Sequence, residues 1–99
     1  GLKAFNYSSY FKEFNQKVWE KDECKPLNMV RYLKKENAFS RLSRAEVVEK
    51  LGEGNYRSDS TSIHYYTSNR NTCVEIVFKK DELYFYRLYW CGKGRGCNN

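Results

Sequence analysis

The sequence predicts an α+β fold, with N-terminal helices packed on one face of a three- to four-stranded antiparallel sheet. Three observations carry that expectation. Apolar residues recur at three- and four-residue steps in the first half; they alternate with polar ones in the second; and the change of period follows a strongly capped helix ending at Leu51-Gly52. Helices that precede the strands, rather than alternate with them, argue against a parallel doubly wound sheet.

The first helix is expected over residues 7–20, where Tyr7, Phe11, Phe14 and Val18 form a stripe flanked by Tyr10 and Trp19. Asn6 or Ser8 can cap it. Helical spacing is what burial requires, so the stripe reads as core. Pro26 or Asn28 opens a second helix over 27–36 through Leu27, Val30 and Leu33, and Asn37 is suited to a left-handed stop. The connector Ala38-Phe39-Ser40-Arg41 leads to a third helix over 44–51. Here Ser43 and Glu46 make a capping box, Leu42 and Val47 are placed as a hydrophobic staple, and Gly52 sits at the left-handed C′ position. The second and third helices are expected to form a tight helix-turn-helix pair. Its exposed side carries Arg44, Glu46, Glu49 and Lys50, and carboxylates facing phosphates would be repelled, which disfavours a DNA groove.

Strands are expected over 62–67, 72–79 and 83–90, separated by Ser68-Asn69-Arg70-Asn71 and by a hairpin turn at Lys80-Asp81-Glu82. Val74, Ile76 and Phe78 share one face of the second strand; Cys73, Glu75, Val77 and Lys79 share the other. In the third strand the Tyr84, Tyr86, Leu88 and Trp90 face is expected to lie on the helices. The tail 91–99 reads as irregular, and residues 1–99 as one domain.

Apolar residues make up 40% of the 99-residue chain and aromatics 17%, too many for a disordered protein. The net charge of +6 comes from 18 basic and 12 acidic side chains spread over both halves, so neither half is a basic block. No apolar run is long enough to span a membrane. The chain begins with Gly rather than Met, and an export or lipid-anchoring segment is expected to have been removed.

The cysteines are Cys24, Cys73, Cys91 and Cys97, an even number in a short chain with no C-x-x-C pair and one distant histidine. Disulfides fit better than a metal site, and no metal or other cofactor is expected. Four cysteines allow three connectivities. Cys91 with Cys97, closing the Gly-Lys-Gly-Arg-Gly run, and Cys24 with Cys73 is the first choice, with buried free thiols as the alternative. Oxidised cysteines place the protein in a periplasm or outside the cell.

Candidate chemistry is sparse. His64 lies on the first strand, and a dyad with Cys73 across the neighbouring strand is the sole nucleophilic arrangement that the order of residues allows. The carboxylate pairs Glu20/Glu23 and Asp81/Glu82 fall in charged exits and turns, where nothing tunes a general acid. Gly92-Lys93-Gly94-Arg95-Gly96 lacks the strand-to-helix setting of a phosphate loop. The outward sheet face, with Glu75, Lys79, Arg87 and Tyr89, is the best candidate for a partner surface, since Tyr and Arg are favoured at interfaces.

From about Val30 to Trp90 the chain resembles the SmpA/OmlA (BamE) family of small periplasmic lipoprotein domains and the wider β-lactamase-inhibitor-protein-like fold. Ser43, Glu46-Val47, Leu51-Gly52, Tyr65-Tyr66 and Val74, Ile76, Phe78 hold the places of the shared pattern, with Gly54-Asn55 where a proline is usual. The resemblance implies an exported or membrane-anchored domain that serves protein contact and assembly without catalysis. The expected function is therefore an exported, non-enzymatic interaction or envelope-assembly domain whose partner is another protein, with membrane contact only through a removed lipid anchor. The alternatives are a basic nucleic-acid-binding module and a small Cys/His-dependent enzyme.

Overall fold

The structure, a computed structural model, describes residues 14–21, 23–55, 57–69 and 71–92. Within them, helices α1 (Gln16–Lys21), α2 (Leu27–Glu36) and α3 (Arg44–Leu51) precede strands β1 (Ser62–Tyr66), β2 (Thr72–Lys79) and β3 (Glu82–Trp90). The strands form an antiparallel sheet in the order β1-β2-β3, an α+β architecture.

The first helix starts later than its apolar spacing suggests. Asn15 is its N-cap: the side-chain Oδ1 accepts from the Val18 N–H at 3.1 Å and the carbonyl accepts from the Trp19 N–H at 2.9 Å. Val18, expected on the buried stripe, is 43% exposed, while Trp19 is 1% exposed. Tyr7, Tyr10 and Phe11 lie outside the described residues.

Helix α2 runs from Pro26 as N-cap to Asn37, whose φ of 48° and ψ of 48° are left-handed. The Ala38 N–H then donates to the Leu33 carbonyl at 3.0 Å, which closes the helix end. Helix α3 carries both halves of the capping box, Glu46 N–H to Ser43 Oγ at 3.1 Å and Ser43 N–H to Glu46 Oε1 at 2.9 Å. Asp81 Oδ1, from the β2–β3 hairpin, accepts from the Arg44 N–H at 3.4 Å. Gly52 has φ +86° but ψ 169°, so it leaves the helix extended rather than in the left-handed helical conformation. The expected pairing of the second and third helices is not what packs: α3 lies against α1, and α2 and α3 each lie against β3. The connector is the reason. Asn37, Phe39 and Arg41 all have positive φ, and the Arg41 N–H and Leu42 carbonyl bond to Leu83 of β3 instead of folding α3 back along α2.

The core is formed where Val30, Leu33, Val47, Leu51 and Trp19 meet Ile63, Tyr65, Val74, Ile76 and Tyr86 of the sheet. Strand β3 departs from simple alternation. The pairs Phe78↔Leu83 and Val77↔Phe85 leave Tyr84 as the extra residue of a β-bulge. Leu83 and Tyr86 are consequently both buried, whereas Tyr84, expected on the helices, is 53% exposed. Trp90 keeps the inward phase of Tyr86 and Leu88 but stands opposite Thr72 at the sheet end, 71% exposed.

The cysteine pairing also differs from the first choice. Cys73 bonds Cys91, with Cα atoms 5.7 Å apart. Cys73 faces Tyr89 across the ladder and Cys91 lies two residues further on, so the pairing of β2 with β3 itself brings the thiols together. Cys24 is disulfide-bonded as well, to a partner outside the described residues, where Cys97 also lies. Oxidised cysteines are compatible with an oxidising, exported location.

The outer edge of β1 is covered by irregular chain. The Asn55 N–H donates to the His64 carbonyl at 2.6 Å, Asn55 Oδ1 accepts from the Tyr66 N–H at 2.7 Å, Ser58 Oγ accepts from the His64 N–H at 2.9 Å, and the Lys25 N–H donates to the Tyr66 carbonyl at 2.8 Å. Gly54 allows this close approach: a Cβ there would overlap Ser58 Oγ, the His64 carbonyl oxygen and Ile63 Cγ2. Gly54→Ala is therefore expected to cost about 2–3 kcal/mol, as for overpacked sites, read as a lower urea midpoint at unchanged m-value.

Candidate functional site

The face of the sheet turned away from the helices is built in rows. Antiparallel pairing sets Ser62, Val77 and Phe85 in one, His64, Glu75 and Arg87 in the next, and Tyr66, Cys73 and Tyr89 in the third. The bulge at Tyr84 is what places Arg87 in the second row. Counting back from Lys79↔Glu82 without it, Glu75 would oppose Tyr86, and Arg87 would point to the helices.

These rows create a connected polar cluster. Glu75 Oε1 accepts from Arg87 Nε at 2.8 Å, and Glu75 Oε2 lies 3.4 Å from His64 Nε2. The other ring nitrogen, Nδ1, is 2.7 Å from the Tyr89 hydroxyl. A neutral imidazole satisfies both contacts with its proton on Nε2, facing the carboxylate, and with the Tyr89 O–H donating to Nδ1. The Arg87 guanidinium stands 4.7 Å from the Tyr89 ring centroid, which closes the circuit. His64 is 8% exposed, whereas the Arg87 side chain is half exposed. Water reaches the cluster through Arg87.

Burial is the main reason that His64 titrates below the ordinary imidazole range. Glu75 and Asp59 pull the other way, and the positive charges of Arg57 and Arg87 reinforce the effect. The ring is thus neutral at pH 7, able to accept from Tyr89 and to orient Glu75 toward Arg87.

Of the residues expected to form a partner surface, Glu75, Arg87 and Tyr89 are brought together. Lys79 is not: its Nζ lies 4.3 Å from the ring centroid of Tyr84, near the hairpin end. His64 joins the cluster although nothing in its own neighbourhood of sequence marks it. The signal that could have found it is the register of the β1–β2 ladder, which sets His64 opposite Glu75. The Cys73–His64 dyad is not available, because Cys73 is oxidised to Cys91 and carries no thiol. Asp81 and Glu82 have structural partners, the Arg44 N–H and Arg41 Nε. Residues Lys93 to Gly96 of the glycine-rich run lie outside the described residues. Among the described residues, no three His, Cys, Asp or Glu side chains are placed to hold a metal ion, and no helix is long and apolar enough to cross a membrane.

A second surface lies along β3. Tyr84 is 53%, Phe85 38% and Trp90 71% exposed. The free edge of the same strand is bonded at Leu83, by the Arg41 N–H at 3.0 Å and the Leu42 carbonyl at 2.8 Å. Among the described residues no chain is hydrogen-bonded to the backbone of that edge between Phe85 and Leu88. Comparison of the chain with family models, curated proteins and solved structures finds no match.

The lowered pKa of His64 has a definite linkage sign. The unfolded chain binds the proton more readily, so this stabilisation is present above about pH 6.5, the unperturbed imidazole value, and is lost as pH falls through the native pKa. Urea midpoints at pH 7.5 and pH 5 are expected to show a drop in the parent protein that is visibly smaller in His64→Gln.

Proposed function

We propose that the chain is an exported, non-enzymatic interaction domain that receives an extended segment of a partner protein along the edge of β3 between Phe85 and Leu88. The carrying observation is the asymmetry of the two sheet edges. Four hydrogen bonds from loop residues occupy the edge of β1, the device by which native proteins block unwanted strand pairing. Between Phe85 and Leu88 the edge of β3 carries no such cover among the described residues.

Strand addition uses backbone hydrogen bonds for affinity and flanking side chains for selection. Tyr84, Phe85 and Trp90 supply large amphipathic surfaces beside that edge, the residue types that dominate binding energy at interfaces. The His64–Glu75–Arg87–Tyr89 circuit holds Arg87 in one orientation at the outer face, so that less side-chain entropy is lost on contact. The Cys73–Cys91 bond ties the last turn of β3 to β2, keeping the edge straight beside Trp90.

Localisation in a periplasm or the extracellular space follows from the disulfides on this reading, and the motif resemblance to the SmpA/OmlA (BamE) family points to the same kind of assembly role. No cofactor takes part.

The test places a photoreactive phenylalanine analogue at position 84 or 90 and exposes the protein to envelope or secreted extract of its source. A discrete adduct of one mass is expected, competed by excess parent protein and absent when the probe sits at position 35 on α2. Equal capture from all three positions, or none from 84 and 90, contradicts the reading.

A further inference from the structure

A second feature lies at the other end of the sheet, where the α2–α3 connector meets the β2–β3 hairpin. A groove of about 510 Å³ opens between them, lined by Asn37, Ser40, Arg41, Lys79, Lys80, Glu82, Leu83 and Tyr84. Three of these side chains are cations and one is a carboxylate. Arg41 and Glu82 pair at 3.5 Å, but their side chains are 81% and 52% exposed, so solvent screens the contact. Lys79 rests on the Tyr84 ring and Lys80 has no ionic partner among the described residues.

The backbone of this region is unusual. All five non-glycine residues with positive φ in the described chain are here: Asn37, Phe39 and Arg41 in the connector, Lys80 and Asp81 in the hairpin. Lys80 and Asp81 fill a two-residue turn of the primed type, where Asn-Gly would be the unstrained choice. Asn37 is explained by the end of α2. Phe39 and Arg41 are not helix ends, and a β-carbon in this conformation is disfavoured. Such strain gathers where a site depends on the geometry it produces.

What it produces is a run of alternating φ sign, since Ala38 and Ser40 between these residues are not positive. Alternation of this kind turns successive N–H groups toward one concavity that suits an anion. Among the described residues the Phe39 and Ser40 N–H groups find no acceptor, while their neighbours at Asn37, Ala38, Arg41 and Leu42 all do. Ser40 thus lines the groove with Arg41, Lys79 and Lys80, and the Phe39 N–H immediately precedes it in the connector.

The geometry points to a binding site for a tetrahedral oxyanion group, a phosphate or sulfate, either free or borne on a larger ligand. Arg41 would give its guanidinium fork, Lys80 and Lys79 point charges, and the connector its N–H groups. The site shares Tyr84 with the β3 surface but does not depend on the interaction reading above.

The experiment is a ¹H–¹⁵N correlation titration of the oxidised protein with inorganic phosphate and with inorganic sulfate, followed by vesicles containing an anionic phospholipid. Saturable shifts of the Phe39 and Ser40 amides are expected with at least one free anion. Vesicles that broaden the same two amides identify a lipid headgroup as the source; vesicles without that effect identify a soluble ester. Lys80→Gln and Arg41→Asn, the latter chosen because Asn tolerates positive φ, should each weaken binding by about tenfold, the loss expected for one charge-assisted contact. Lys34→Gln with Lys35→Gln, on the last turn of α2 and outside the groove lining, should leave it within about twofold, since exposed charges that make no direct contact are weakened by solvent and salt. Unmoved amides at 39 and 40, or equal weakening by the α2 pair, would overturn the assignment, the latter by showing attraction to net charge alone.

Discussion

The fold depends on three aromatic side chains that reach the carbonyls at helix ends. An α-helix leaves its last carbonyls without partners, and a helix end inside a protein must find donors for them. Trp19 Nε1 donates to the Leu51 carbonyl at 2.8 Å, the Tyr65 hydroxyl to the Gly52 carbonyl at 2.7 Å, and the Tyr86 hydroxyl to the Ala38 carbonyl at 2.6 Å. The three rings are 1%, 1% and 4% exposed, so each donor is delivered from within the apolar core. Trp19 and Tyr65 also meet edge to face, their centroids 5.5 Å apart. One set of side chains therefore fills the core and fastens α2 and α3 to the sheet. Burial pushes the Tyr65 and Tyr86 hydroxyls far above the usual phenol range, which keeps them donors throughout the pH range in which the protein is folded.

Fastening α2 and α3 by their C-terminal ends brings the connector between them to the β2–β3 hairpin. Arg41 and Leu42 then bond Leu83, and Asp81 returns a side-chain bond to the first turn of α3. Leu83 and Tyr86 both have core positions three residues apart, and the bulge at Tyr84 reconciles that spacing with a strand. Beyond the bulge the phase of β3 is reversed. Arg87 and Tyr89 come to the outer face beside Glu75 and His64, and Tyr84 goes to solvent. A packing requirement on the inner side of the sheet thus determines the chemistry of the outer side.

Much of this was legible in the chain. The bounds of α2, α3 and β2 coincide with the expected 27–36, 44–51 and 72–79, because each is marked by local chemistry: Pro26 and Asn37, Ser43 with Glu46, and the alternation from Cys73 to Lys79. The α+β order followed from the change of period. What failed were features that depend on distant contacts. In α1 it is Trp19, expected only to flank the stripe, that the core takes in place of Val18. Tyr84 looked inward because simple alternation has no means of representing a bulge. The disulfide choice favoured a short flexible ring over Cys73–Cys91, which becomes the nearer pair once β2 and β3 are in register. His64 could be linked to Glu75 only through the register of β1 on β2. The candidate groove was illegible for the same reason: the connector and the hairpin are far apart in sequence, and nothing in Phe39 or Arg41 announces positive φ.

If aromatic donors at the helix ends hold the architecture, removing a donor while keeping the ring must cost more than the loss of an exposed hydroxyl. The direct measurement is equilibrium urea unfolding of Tyr65→Phe and Tyr86→Phe beside the control Tyr84→Phe, whose ring is exposed. The first two are predicted to lose about 1 kcal/mol or more each, the net worth of a part-buried hydrogen bond, with the control within about 0.5 kcal/mol of the parent. Losses for Tyr65→Phe and Tyr86→Phe no larger than that of the control would contradict the account.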